Sequence, residues 1–90
     1  MVRQKNSPSS IQQDNTTLQQ GLILYNDHVN TFDFVIDSLI EVCKHEPEQA
    51  EQCALVAHFR GKCLIKNGDH ADLKPMFDEM STRGLTVSIE

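Results

Sequence analysis

Four polar side chains crowd one short interval of the chain: Asn26, Asp27, His28 and Asn30. Together they offer amide, carboxylate and imidazole groups, a set suited to hydrogen bonding rather than to bond making. A further imidazole, His58, lies in Ala57-His58-Phe59-Arg60-Gly61-Lys62. Alone, a helical histidine is more often structural than functional. Three cysteines, Cys43, Cys53 and Cys63, invite two other readings. A Cys–His pair drawn from Cys63 with His28 or His58 would be catalytic, but a reactive thiol needs an electropositive, accessible setting, and Cys63 stands in an apolar run. A zinc site from Cys43, His45, Cys53, Cys63 and His70 fails on spacing, which matches no common framework. The residues therefore point to binding rather than to an enzyme or a metal site.

The composition narrows the partners. Ninety residues form one domain at most, with a modest core and no room for a deeply enclosed active site. Thirteen acidic residues against eight Lys and Arg give a formal charge of -5, which disfavours nucleic acid. No apolar run approaches the roughly 20 residues needed to span a bilayer, so no membrane is expected. Met1-Val2-Arg3-Gln4-Lys5 precedes no apolar segment, which argues against a secretory signal. Three cysteines without CxxC spacing are expected to be reduced thiols in a cytoplasmic protein.

The elements that must position the polar cluster follow from periodicity. Residues 1–20, rich in Ser, Asn, Gln and Thr, are expected to form a flexible tail ahead of a core domain over 21–90. Gly21 opens a first strand, Leu22 to Tyr25 or Asn26. The polar elbow follows, and a first helix runs from about Thr31 to Lys44. Phe32, Val35, Ile36, Leu39, Ile40 and Cys43 make its apolar stripe, while Asp33, Asp37 and Glu41 line the other face. Asn30 or Thr31 can cap it. Pro47 starts a second helix to about Phe59, with Ala50, Cys53, Ala54 and Ala57 on one face, and Gly61 ends it. Lys62–Lys66 reads as a second strand and Asn67-Gly68-Asp69 as a turn. A third helix is predicted over about Asp72–Thr82, with Pro75 in its first turn, and Leu85–Ile89 as a last strand. The order is β-α-α-β-α-β, an α+β domain: a three-stranded antiparallel sheet with three helices packed on one side.

Two motifs then carry a resemblance. Leu24-Tyr25-Asn26-Asp27 with Thr31-Phe32-Asp33-Phe34-Val35-Ile36-Asp37 resembles the opening motif of the ClpS adaptor proteins. Ala57-His58-Phe59-Arg60-Gly61-Lys62 resembles their His-aromatic-x-Gly-Lys signature, and Gly84-Leu85-Thr86-Val87-Ser88-Ile89-Glu90 their ending. The resemblance implies an adaptor that binds N-degrons, chains beginning with Phe, Tyr, Trp or Leu. It would deliver them to the N-domain of a Clp AAA+ unfoldase, of ClpA or ClpC type, for degradation by ClpP. It implies a monomer without cofactors. By position, Asn26, Asp27, His28 and His58 would surround the free α-amino group, and Leu24, Asn30, Phe32, Ala54, Ala57 and Leu85 would line or gate the pocket for the first side chain. Acceptors suit an ammonium, and a neutral His58 must keep one nitrogen free to accept.

The chain departs from the family at three places. His28 replaces a usual Asp, which should weaken ammonium binding. Phe32 replaces a common Met at the gate and should be stiffer. Ala54 and Ala57 stand where larger apolar residues are frequent and should deepen the pocket toward aromatic ligands. Two alternatives remain at this level: a ClpS-like modulator that docks on the unfoldase without reading termini, and a module resembling the ribosomal stalk protein's C-terminal domain.

Overall fold

The computed structural model describes residues 19–90. The expected tail over 1–20 lies outside the described residues, apart from Gln19 and Gln20. Six elements follow in the order β1 (Gln20–Tyr25), α1 (Phe32–Cys43), α2 (Pro47–Arg60), β2 (Lys62–Gly68), α3 (His70–Thr82) and β3 (Val87–Ile89). The strands form one antiparallel sheet in the order β2-β1-β3. The class is α+β, as the periodicity predicts.

The central strand carries the sheet's burial. Leu22 and Leu24 are 0% and 2% exposed, while Ile23 and Tyr25 between them are half-buried. That alternation is the period of a strand with one face covered. Helix α1 packs on both α2 and α3, α2 covers β2, and α3 covers β3. Leu39, Ala50, Leu73 and Met80 are fully buried where these elements meet. Between Leu22 and Ile23 the β1–β2 register jumps from Lys66 to Leu64, leaving Ile65 as an extra residue on β2. A bulge of this kind bends a strand and adds twist. Gly21 meets β2 closely enough that a Cβ there would lie 2.7 Å from Leu64 Cδ1.

Helix boundaries follow local chemistry. Thr31, rather than Asn30, caps α1: its Oγ1 accepts from Phe34 N–H at 3.1 Å. Glu46 and Gln49 form a capping box on α2 behind Pro47 at the first position. Gly61 leaves α2 at φ 94°, a left-handed turn that glycine adopts without a Cβ penalty, and its N–H returns to Ala57 O at 2.9 Å.

Three sequence expectations are corrected here. Asn67-Gly68-Asp69 is not a free turn: β2 continues through Gly68, and Asp69 caps α3, its Oδ1 accepting from Asp72 N–H at 3.0 Å. A turn signature and a cap signature share the same residues, because Asn, Asp and Gly serve both. Helix α3 consequently starts at His70, which moves Pro75 from the first turn into the helix interior. The last strand starts at Val87, because Leu85 still belongs to the exit of α3, its N–H donating to Met80 O at 3.1 Å.

At its interior position Pro75 leaves the Ala71 carbonyl without its helical donor and crowds it. Pro75 is exposed, so nothing is lost by truncating it. Pro75→Ala is expected to raise the unfolding free energy by about 1–2 kcal/mol, less than the roughly 3 kcal/mol of a mid-helix proline because the site is near the amino end. Urea denaturation checks this: the midpoint should rise with an unchanged slope.

Candidate functional site

The elbow between β1 and α1 is shaped by one carboxylate. Asp27 Oδ1 accepts from the backbone N–H groups of Val29 and Asn30, both at 2.9 Å. Its Oδ2 accepts from Asn30 Nδ2 at 2.9 Å and from Thr86 Oγ1 at 3.4 Å. A carboxylate has about four lone-pair positions, and here all four are taken. Asn30 Nδ2 also donates to Gly84 O at 3.0 Å, so Asn30 bridges the elbow to the turn after α3. Backbone bonds complete the frame: Tyr25 N–H to Thr86 O at 2.8 Å and Asn26 N–H to Gly61 O at 2.9 Å. Arg83, beside Gly84, holds that turn against α1 through Glu41 Oε1 at 2.8 Å.

Next to the elbow lies a cavity of about 500 Å³. The elbow contributes Asn26, Asp27, His28 and Asn30, and β1 contributes Leu24 and Tyr25. Helix α1 adds Phe32 and Val35. Helix α2 adds Ala54, Leu55, Ala57, His58 and Phe59. One wall is thus polar and the rest apolar, a usual division in ligand sites. The space exists because α2 presents alanine at 54 and 57, both almost completely buried. His58 is in the last turn of α2, where the helix dipole's negative end favours a nearby cation.

Nine of the ten residues predicted for binding line this cavity. Leu85 does not: it is 5% exposed and packs in the central core. It still belongs to the exit of α3 and shares the core cluster with Leu73 and Met80. Four lining residues went unpredicted: Tyr25, Val35, Leu55 and Phe59. Val35 follows Phe32 by three positions and Leu55 precedes His58 by three, so helical spacing from the predicted residues could have found these two, and Phe59 only through Leu55 four positions before it. The roles of Gly84 and Thr86 carried no local signal.

The cysteines and His45 occupy the other flank of α2. A smaller hollow of about 250 Å³ there is lined in part by His45, Cys53 and Cys63. His45 is buried, with Nε2 3.1 Å from Ile65 O, and its Nδ1 has no partner among the described residues. Burial pushes the Cys43 thiol up to about 11, against a small opposing pull from Lys66. Burial, with the adjacent Cys63 thiol, pushes Cys53 further up. Such thiols are poor nucleophiles. Among the described residues, no three His, Cys, Asp or Glu side chains converge to hold a metal ion. No described helix is long and apolar enough to cross a membrane.

Burial alone would raise the Asp27 pKa, but the hydrogen bonds from Asn30, Val29 and Thr86 outweigh it and hold the carboxyl below its ordinary value. A depressed carboxyl stabilises the fold above its unfolded pKa of about 3.9, and that stability is lost as the pH falls through the folded value. Asp27→Asn is expected to lower the melting temperature at pH 7 and to flatten the acid limb below about pH 4. Thermal melts of both proteins between neutral and acid pH check this; parallel limbs would contradict the assignment.

The fold agrees with what comparison finds. The family model described as "ATP-dependent Clp protease adaptor protein ClpS" matches residues 16–88. The ATP-dependent Clp protease adapter protein ClpS of Nitratidesulfovibrio vulgaris (strain DSM 19637 / Miyazaki F) is 33% identical over 55 residues, covering 59% of this chain. The aligned stretch spans 55% of that curated relative's length. Agrobacterium tumefaciens ClpS2, solved bound to L-phenylalaninamide, superposes with a TM-score of 0.68 over 80% of this chain and 94% of its own. At 19% identity that likeness speaks to the fold alone. With the family model matching most of its length, this chain belongs to the ClpS family.

Proposed function

We propose that the chain is an N-degron adaptor that hands substrates with a bulky apolar first residue (Phe, Tyr, Trp or Leu) to a ClpA- or ClpC-type unfoldase in the cytoplasm, acting as a monomer. The observation that carries this reading is the cavity with one polar wall: Asn26, Asn30, His28 and His58 face the same space as Leu24, Phe32, Ala54 and Ala57. A chain's first residue has that same division, an ammonium and a side chain on one carbon. L-phenylalaninamide, the molecule bound to Agrobacterium tumefaciens ClpS2, has it too.

The division of roles follows from the bonds at the elbow. Asp27 has no lone pair to spare, so it acts on an ammonium mainly as a nearby negative charge. Asn30 Nδ2 is held by Asp27 and Gly84, which leaves Asn30 Oδ1 as an acceptor. Asn26 Oδ1 and a neutral His58 nitrogen supply the other acceptors. Each charge-assisted bond of this type is worth about 1.5–3 kcal/mol. His28 puts an imidazole where a second carboxylate would strengthen the field. The second reading, a modulator that docks without reading termini, draws on His28 and on Asp27's complete set of bonds.

A fluorescent peptide beginning with Phe, its acetylated twin and a Met-first peptide separate the two. The adaptor reading expects binding of the first alone; equal binding of all three, or of none, defeats it. Asp27→Ala is expected to weaken the Phe-first peptide by tenfold or more, since the elbow loses both its shape and its charge. His28→Asp is expected to tighten it by roughly fivefold, about 1 kcal/mol.

A further inference from the structure

Two of the three cysteines meet where α2 packs on β2. Cys53 is on the buried face of α2. Cys63 pairs with Leu24 in the β1–β2 ladder, so the two side chains share the sheet face that the helices cover. Helix α2 lies over β2 there, and the two thiols are in hydrogen-bond contact beside the smaller hollow. Cys53 is closed off from solvent, while Cys63 is half-buried and borders the hollow. The pair also brackets the candidate site. Ala54 follows Cys53 directly, and Leu24 is across the ladder from Cys63. Ala54, Leu55, Ala57, His58 and Phe59, the whole contribution of α2 to the cavity, lie between the two cysteines in sequence.

We propose that Cys53 and Cys63 are a modification site for hydrogen peroxide: oxidation joins them in a disulfide that draws α2 toward β2 and weakens ligand binding in the neighbouring cavity. The effect on binding rests on the first-residue reading; the bridge itself does not. Cys63 reacts first, because peroxide reaches it from the hollow. Its thiolate attacks one peroxide oxygen, the O–O bond breaks, and the departing hydroxide combines with the thiol's proton as water, leaving a sulfenic acid. The Cys53 sulfur then attacks the Cys63 sulfur, the S–O bond breaks, and the departing hydroxide takes the Cys53 proton. Two thiols and one hydrogen peroxide become one disulfide and two waters, with two electrons passing from sulfur to oxygen. Cys53 is a poor nucleophile toward reagents in solution, but its target is already in contact with it. Closure shortens that contact to about 2 Å, the length of an S–S bond. Ala54 and Leu24, attached next to the two sulfurs, carry the shift to the cavity wall. Thiol reductants reverse the bond, and transient disulfides in reducing compartments commonly serve as sensors.

Trypsin separates the three cysteines, because Lys44, Arg60, Lys62 and Lys66 divide the chain between them. The full chain is treated with hydrogen peroxide, alkylated and digested. Mass spectrometry should find residues 45–60 linked to residues 63–66, and dithiothreitol should release them. By fluorescence polarisation the oxidised protein should bind the Phe-first peptide about fivefold more weakly, the loss of one well-made contact, and reduction should restore it. Cys63→Ser should bind like the reduced natural protein and lose both the link and the response to peroxide. Unlinked peptides after oxidation, or a link through Cys43, overturn the pair. A linked protein that binds as well as the reduced one overturns the effect on the cavity. A reduced protein that does not bind the peptide defeats the first-residue reading, and with it the effect on binding, while the mass measurement still decides the bridge.

Discussion

The Asp27 carboxylate organises the candidate site from beneath. Two of its bonds go to backbone N–H groups of the elbow, which sets the path from β1 into α1. The other two go to Asn30 and Thr86, and Asn30 continues to Gly84. The elbow is thereby fastened to the turn that leads into β3. That turn is in its own right held by Arg83 on Glu41 of α1. The cavity's polar wall is consequently a product of the closed fold rather than of the loop alone. Loops tied to rigid elements in this way can hold binding groups in place without ligand.

The cavity is maintained against the general tendency to pack. Ala54 and Ala57 forgo side-chain volume at two buried positions of α2 that line the cavity. Phe32 and Phe59 stay 39% and 77% exposed at the mouth, leaving apolar area in water. A fully buried side chain of that size contributes about 1.5–3 kcal/mol, so the arrangement costs stability. The compensation lies elsewhere, in Leu22, Leu24, Leu39, Leu73 and Met80, which are almost entirely enclosed. The stripe of α1 supplies both cavity lining and core, with Phe32 and Val35 at the cavity and Leu39 and Cys43 inside.

Helix α2 separates two environments that the sequence places side by side. His58 faces the cavity, while Cys53 and Cys63 with His45 face the opposite flank. Cys63 and His58 therefore line different hollows and do not pair. The buried thiols act as small apolar groups, their charged forms suppressed by desolvation. His45 ties the end of α1 to β2 through Ile65 O.

Element order and class were legible in the residues alone, while the candidate lining came from the family resemblance. Phe32, Val35, Leu39 and Cys43 recur at helical spacing, Gly61 and Thr31 mark helix ends, and burial follows such periods because water drives apolar faces together. Where one residue type serves two local roles, the reading went astray: Asn67-Gly68-Asp69 was strand and cap, and Pro75 moved inward with the earlier helix start. Leu85 lies in the core and outside the cavity lining, an environment that depends on where α3 releases the chain. The bonds that make Asp27 a strut reach Gly84 and Thr86, more than fifty residues away from their partners at the elbow. Local pattern determines which segments curl and which face is apolar; only three-dimensional closure decides which distant oxygen an amide meets, and so which acceptors remain open at the mouth.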